Sequence, residues 1–132
     1  MTFVDRATRC VVNWSVCWEP NGDLVDQMLA GSSRGRWYYS DANQIYEGRG
    51  YYPGHHTGLQ DKSETYSVEG NNAELRHYLA RLVRKSRCFS RCIEALRKAV
   101  RLFVYYWNQR QLYRRANPGY PSQIIDFVCP PC

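Results

Sequence analysis

A glutamate stands at the front of a run of cationic side chains in the second half of the sequence. Glu69 is followed by the basic residues Arg76, Arg81, Arg84, Lys85 and Arg87. A carboxylate so placed is either a structural counter-charge or a metal ligand beside a surface that binds phosphates. Charge alone favours the counter-charge, so the choice depends on the elements that position Glu69.

The basic run is predicted to lie on an amphipathic helix. After Glu69, apolar side chains recur at helical spacing and form one stripe, made of Leu75, Tyr78, Leu79, Leu82 and Val83. The basic residues lie largely off that stripe. Asn71 or Asn72 is available to cap the first turn, and a short strand over Glu64–Val68 is predicted to lead into Glu69.

A second helix is predicted to follow, with Ser90 as its N-cap. Its apolar stripe consists of Ile93, Leu96, Val100, Phe103, Val104 and Trp107. Asn117-Pro118-Gly119 ends it, because proline and glycine stop helices. The sequence therefore predicts a C-terminal pair of basic amphipathic helices over residues 70–116, followed by an irregular tail over 118–132.

The first forty residues are predicted to form a hairpin, a helix and a strand. Thr2–Val4 begins as if within a strand, and Cys10–Trp18 alternates apolar and polar residues. A short helix over Leu24–Ala30 follows. The aromatic strand Arg36–Ser40 then ends at Asp41. This order predicts an α/β fold with a carboxylate at a strand end.

Residues 42–63 have little periodicity and several glycines, which predicts a long loop. Tyr46, Tyr51 and Tyr52 are expected to pack this loop onto the sheet, with stacking on nucleobases as the alternative. His55-His56 is interpreted as a surface pair, with metal binding as the alternative, because a zinc site needs further spaced ligands.

Segment 62–90 carries an ordered motif: Lys62, Thr65, Val68-Glu69, Asn72, Leu75-Arg76, Leu79-Ala80-Arg81-Leu82, Arg84-Lys85 and Cys88-Phe89-Ser90. This motif resembles the C-terminal half of bacterial insertion-sequence transposases, in particular the insertion-sequence-one type of the DDE group. The resemblance implies that Glu69 is the third catalytic carboxylate. Tyr38-Tyr39-Ser40-Asp41 is similar to the strand end that carries the second carboxylate, which maps onto Asp41.

The resemblance implies an incomplete ribonuclease-H-like domain over residues 1–117, including the helical pair. In that family carboxylates hold two divalent ions, so Asp41 and Glu69 are expected to bind Mg²⁺ or Mn²⁺. The expected partner is DNA, both insertion-sequence ends and target. The residues expected to contact DNA are Lys62, Asn72, Arg76, Arg81, Arg84 and Lys85.

The family's remaining carboxylate has no counterpart here. It belongs on a first, central strand, whereas Asp5 falls in a predicted turn, and Asp23 and Asp26 lie in or beside the short helix. We therefore expect a transposase fragment that does not cleave DNA alone and that acts as a homo-oligomer or with an upstream-encoded half. The alternative is a non-catalytic DNA-binding fragment that modulates a full-length transposase.

Composition fits one domain of 132 residues with a basic partner surface. Of the 18 Lys and Arg residues, 12 lie within residues 69–117, against 3 of the 12 Asp and Glu residues. This asymmetry indicates either a polyanion partner or a solvated basic face. No signal core or membrane-length apolar run is present, so a cytoplasmic protein with thiol cysteines is expected. Cys129 and Cys132 have half the spacing of a zinc knuckle, which is weak evidence for a metal site.

Overall fold

The computed structural model describes residues 1–59, 65–79 and 92–119. The elements are β1 (Thr2–Val4), β2 (Val11–Trp14), α1 (Gly22–Ala30), β3 (Trp37–Asp41), β4 (His55–Leu59), α2 (Tyr66–Tyr78) and α3 (Ile93–Ala116). A 3₁₀ turn, Gln44–Tyr46, lies between β3 and β4. The mixed α/β class expected from the sequence is confirmed.

The four strands form two separate pairs. β1 and β2 are antiparallel, with Thr2 opposite Trp14 and Phe3 opposite Asn13. β3 and β4 are parallel and in step from the pair Trp37–His55 onward. Within the described ranges, no strand joins one pair to the other. One edge of β1 and one edge of β3 therefore carry backbone groups that no strand of the described chain pairs.

Alternate side chains of β1 contact helices on opposite faces of the strand, with α1 on one face and α2 with α3 on the other. Phe3 packs on the cluster formed by Val25, Leu29 and Tyr51, on the α1 side. Val4 packs on the opposite cluster, which α2 and α3 provide. Because successive side chains of a strand point to opposite faces, three residues suffice to anchor both layers.

The larger cluster is built on α3. Its buried side chains are Leu96, Val100, Phe103, Val104 and Trp107. Leu75 of α2 and Val11 of β2 complete the cluster, so α3 packs on both α2, the first helix of the predicted pair, and the β1–β2 hairpin. The apolar stripe read from the sequence is confirmed at these positions. Ile93, its first member, is only half-buried.

Hydrogen bonds fix α3 against β2. The side-chain oxygen of Asn108 accepts a hydrogen bond from the Val11 amide at 2.8 Å, and its amide nitrogen donates to the Val11 carbonyl, also at 2.8 Å. Trp107 donates from Nε1 to the carbonyl of Arg9 at 3.0 Å. One helical turn of α3 thereby takes the place of a neighbouring strand for the start of β2.

Several predicted boundaries are wrong. β2 ends at Trp14, four residues before the predicted end at Trp18, whose side chain is 57% exposed. Just beyond β2, the amide of Ser15 donates to the carbonyl of Met1 at 2.9 Å, and the amino group of Met1 donates to the carbonyl of Ser15 at 2.8 Å. β4 lies in the predicted loop 42–63, and it forms because it can pair with β3.

The entry into α2 also differs from the expectation. The helix begins at Tyr66, so no strand exists over 65–68, and the predicted helical pair starts earlier than residue 70. Asn71 and Asn72 lie inside the helix, and Thr65 occupies the N-cap position. Asn71 is 2% exposed, and within the described ranges neither its side-chain oxygen nor its nitrogen has a hydrogen-bond partner. Of the second helix, Cys92 is the N-cap rather than Ser90, which lies outside the described residues.

The contact between α3 and β2 generates a stability prediction. Asn108→Ala removes the side-chain oxygen and nitrogen that bond to the backbone of Val11. Each part-buried backbone group left without this bond costs up to about 3 kcal/mol of stability. We expect the free energy of unfolding to fall by about 2–4 kcal/mol in urea titrations followed by tryptophan fluorescence. Gln109→Ala, at the exposed neighbouring position, is the control and should change it by less than about 0.5 kcal/mol. Equal effects of the two variants would contradict the assignment.

Candidate functional site

Asp41 lies at the carboxyl end of the parallel strand pair. It is the last residue of β3, directly beside Leu59, the last residue of β4. The carboxyl edge of parallel strands is where α/β proteins place their ligands, because the connections to the following helices leave a crevice there. The Asp41 side chain is exposed, and its Oδ1 accepts a hydrogen bond from the Asn43 amide at 3.3 Å.

Glu69 lies in the first turn of α2, the helix that follows β4. Residues three or four apart share one face of a helix, so Glu69, Asn72 and Arg76 form a polar stripe along α2. Glu69 and Arg76 are exposed. Asn72 is half-buried, and its Oδ1 accepts a hydrogen bond from the Thr2 hydroxyl at 3.0 Å. This bond ties the stripe to β1.

A groove of about 990 Å³ separates β1 from β3, and both Asp41 and Glu69 are among the residues that line it. Successive residues of both strands line it, from Thr2 to Ala7 and from Ser32 to Asp41. Because alternate side chains point to opposite faces, an uninterrupted lining means that the strand edges form the walls. Leu29 of α1 reaches the groove from one face, and α2 reaches it from the other with Val68, Glu69 and Asn72.

The alternation of β3 places Asp41 on the α2 side. Tyr38 packs on the α1 cluster. Asp41 is an odd number of residues further along β3, so it faces the opposite layer. Tyr39 shares that face, and the guanidinium of Arg6 lies 5.7 Å from its ring centre and 5.8 Å from the ring centre of Tyr66 in α2. Asp41 and Glu69 therefore lie on the same side of the sheet and open into one groove.

Asp5 is a further acidic side chain in this groove. Its Oδ2 accepts hydrogen bonds from the Thr8 amide at 2.9 Å and from the Thr8 hydroxyl at 2.5 Å. The hydroxyl bond is the main reason that the pKa of Asp5 is lowered from its usual value. Asp5 is thus an ionised carboxylate, and one of its oxygens is bonded within the turn that the sequence predicts at this position.

His56 and Tyr51 lie under the opposite side of β3. The His56 ring stacks on Tyr51 with 4.3 Å between ring centres, and its Nε2 is 2.9 Å from the hydroxyl oxygen of Ser40. Burial lowers the pKa of His56 and raises that of Tyr51 to about 12. The loop tyrosines pack as predicted at Tyr46 and Tyr51, whereas Tyr52 is 88% exposed.

The carboxylate pair has the chemistry of a site for a hard divalent cation. Asp41 and Glu69 offer oxygen ligands, which Mg²⁺ and Mn²⁺ prefer, and both are accessible from one groove. In the part of the chain that is described, no three His, Cys, Asp or Glu side chains converge closely enough to hold a metal ion. Asp41 and Glu69 are thus two oxygen-bearing side chains on the lining of one groove.

A protein-family model described as IS1 transposase matches residues 22–112, which is more than half of the chain. The chain belongs to the IS1 transposase family. The match includes β3 with Asp41 and α2 with Glu69. No curated protein and no solved structure matches the chain. In the described ranges of this IS1-family chain, no helix has both the length and the apolar character needed to cross a membrane.

The structure describes four of the eight residue assignments made from the motif. Asp41, Glu69 and Asn72 line the groove, and Arg76 continues the α2 stripe beyond it. Lys62, Arg81, Arg84 and Lys85 lie outside the described residues. Sequence reasoning missed the cations at the turn after β1. No local signal marks Arg6 and Arg9 as neighbours of Tyr66, since that contact joins residues about sixty positions apart.

The position of Asp41 depends on close packing at the start of the β3–β4 pair. A Cβ added to Gly54 would lie 2.5 Å from the carbonyl oxygen of Gly35 and 2.6 Å from the Tyr38 ring. We expect Gly54→Ala to lower the free energy of unfolding by about 1–3 kcal/mol, because the backbone must shift to admit the methyl group.

The matched control is Gly50→Ala, where no atom lies within 4 Å of the added Cβ. Urea denaturation of the two variants should show a loss for Gly54→Ala alone. An unchanged denaturation midpoint for Gly54→Ala would mean that the space beside Gly54 admits a methyl group without a backbone shift.

Proposed function

We propose that this chain is the part of a DDE transposase catalytic domain that carries its second and third carboxylates, Asp41 and Glu69. The observation that supports this most directly is that both side chains open into the same groove on the same side of the sheet. They come from different elements, separated in sequence by β4 and by residues outside the described ranges. The ribonuclease-H-like description of the fold is part of this proposal.

Asp41 and Glu69 would hold Mg²⁺ or Mn²⁺. When bound, such an ion polarises phosphoryl oxygens and activates the attacking hydroxyl or water. The residues of the chain would position the ion and, through Asn72, fix the α2 stripe against β1. Bringing two carboxylates to one groove costs repulsion that a bound cation removes, so ion binding and the charges of Asp41 and Glu69 are coupled.

The site is proposed to be incomplete in the chain alone. A two-ion arrangement needs a third acidic ligand, and the nearest described candidate, Asp5, is engaged by Thr8. The facing edges of β1 and β3 have backbone groups available to another strand, and Asp41 lies at the end of that wall. A second polypeptide, either another copy or an upstream-encoded half, would add an Asp-bearing strand there. The proposed setting is DNA transposition in the cytoplasm.

DNA is the proposed partner along the α2 stripe. Asn72 and Arg76 continue away from Glu69 on one helical face, and the motif places Lys62, Arg81, Arg84 and Lys85 in the adjacent segments. Backbone phosphates on this surface would bring a strand to the carboxylates without reading its sequence. Insertion-sequence ends and target DNA are the proposed substrates.

The first functional prediction concerns the cation. Titration with Mn²⁺, followed by electron paramagnetic resonance, should show one weak site with a dissociation constant on the order of 10⁻³ M, because two carboxylates form an open, water-rich site. Asp41→Asn and Glu69→Gln should each weaken binding by about tenfold or more. Glu94→Gln is the matched control, because Glu94 is an exposed glutamate in the first turn of α3, paired with Arg97.

The same chain should not nick or join DNA that carries insertion-sequence ends. If metal-dependent cleavage occurs and Asp41→Asn abolishes it, the site is complete without another polypeptide. Asp5→Asn would then identify the third ligand, and the proposal of an incomplete site would be wrong.

A non-catalytic role is the second candidate, and the exposed cations favour it. α3 carries basic side chains on its solvent side at Arg97, Lys98, Arg101, Arg114 and Arg115. Arg97 is the only one of these with a described ion pair, and such a surface pair contributes little. A surface of this kind would bind DNA phosphates and would compete with a full-length transposase for its ends.

The second functional prediction tests this surface. Binding to duplex DNA should be independent of sequence, and log K should fall linearly with log salt concentration. On α3, Lys98→Ala with Arg101→Ala should reduce the slope by about 1.8. Along the motif, Arg76→Ala should reduce it by about 0.9, and Arg81→Ala with Arg84→Ala by about twice that. Gln109→Ala should leave the slope unchanged. A salt-independent affinity, or no binding by folded protein at low ionic strength, would show that these cations are merely solvated.

A further inference from the structure

Two tyrosines lie beside the two carboxylates. Tyr39 is two residues before Asp41 on β3, so both side chains are on the same face of the strand. Tyr66 is three residues before Glu69 on α2, so these two share a helical face. Tyr39 is 37% exposed and Tyr66 44% exposed. Each carboxylate therefore has an accessible aromatic ring next to it on its own element.

Two arginines join these rings. The guanidinium of Arg6 lies within 6 Å of both ring centres, and that of Arg9 lies 4.5 Å from the ring centre of Tyr66. Both arginine side chains are exposed. We call Arg6, Arg9, Tyr39 and Tyr66 the arginine–tyrosine cluster. It gathers residues from the turn after β1, from β3 and from the first turn of α2, and Arg6, Tyr39 and Tyr66 line the groove.

The turn that carries the arginines is held rigidly. The Arg9 amide donates to the carbonyl of Asp5 at 2.8 Å, and the Asp5 amide donates to the carbonyl of Cys10 at 2.8 Å. Trp107 holds the Arg9 carbonyl from the other side. Arg9 has a φ of 63°, a left-handed conformation that costs conformational energy in any residue other than glycine. The surrounding bonds impose this conformation and thereby aim the Arg9 side chain at Tyr66.

We propose that the arginine–tyrosine cluster binds unpaired nucleobases of single-stranded DNA and thereby holds a strand end against Asp41 and Glu69. Exposed tyrosine rings provide surfaces on which bases stack irrespective of sequence, and arginines contribute cation–π contacts and phosphate charge. A base inside a duplex has both faces covered by its neighbours, so only an unpaired base can use these rings. The inference rests on the proposed function, since it names the form of DNA that the same site takes.

The test compares three probes by fluorescence anisotropy on the full chain: oligothymidylate, an abasic strand of equal length and a duplex of equal length. The abasic strand has the same phosphates but no bases, so it isolates stacking from charge. We expect oligothymidylate to bind about 5- to 100-fold more tightly than the abasic strand, as stacking of one base on tyrosine provides. Tyr39→Ala and Tyr66→Ala should each reduce that ratio.

Phenylalanine variants separate stacking from folding. Tyr39→Phe and Tyr66→Phe keep the ring and should keep the ratio, whereas Tyr105→Ala removes an exposed tyrosine of α3 and should leave it unchanged. Equal binding of the abasic strand and oligothymidylate by the unaltered chain would overturn the proposal. A ratio that survives both alanine substitutions would overturn it too, and so would phenylalanine variants as weak as the alanine ones.

The Mn²⁺ titration on the same samples distinguishes the two proposals. If the stacking ratio is absent while Asp41 and Glu69 still bind Mn²⁺, only the cluster assignment is wrong. If the ratio is present and depends on the tyrosines while Mn²⁺ does not bind, the cluster assignment holds and the carboxylate site is wrong.

Discussion

The alternation of side chains along β1 is the constraint on which the rest of the structure depends. Phe3 fixes the strand to the α1 layer, while Thr2 and Val4 fix it to the α2 and α3 layer. The β1–β2 pair is thereby held between helices on both faces, and in the described ranges no strand hydrogen bonds join it to the β3–β4 pair. The groove is the space that this arrangement leaves between β1 and β3.

Asp41 and Glu69 line the same groove, one from the end of a parallel strand pair and the other from the first turn of a helix. β3 and β4 run in step and end together at Asp41 and Leu59, and α2 is the next described helix along the chain. Glu69 then lies one turn into α2 on the face that opens into the groove. Exposure of both side chains keeps them hydrated, which suits a cation that retains part of its water shell.

The sequence could predict what depends on local pattern. The α3 stripe and the end of β3 at Asp41 follow from the spacing of apolar residues, whereas Glu69 is singled out by the motif. β4 was not predictable in the same way, because His55-His56-Thr57-Gly58-Leu59 lacks apolar alternation and is a strand only through its pairing with β3. The start of α2 was misplaced because Asn71 and Asn72 have the residue type of N-caps, whereas tertiary packing places both inside the helix.

The contact of Arg6 and Arg9 with Tyr66 depends on how the β1–β2 turn is held by Trp107, and no local rule connects residues so far apart in the chain. The groove likewise follows from the absence of pairing between two strands in the described ranges, which the periodicity of neither strand encodes. The motif therefore points to two carboxylates that line one groove, but not to the surfaces around them.

Asp41 and Glu69 are proposed to form one cation site, and paramagnetic broadening of backbone amide resonances by substoichiometric Mn²⁺ in the folded chain tests this. If they share one ion, amides near Asp41 and amides near Glu69 broaden together over the same Mn²⁺ range, and Asp41→Asn abolishes the effect at both places. Broadening at only one of them, or centred on His55 and His56, would contradict it.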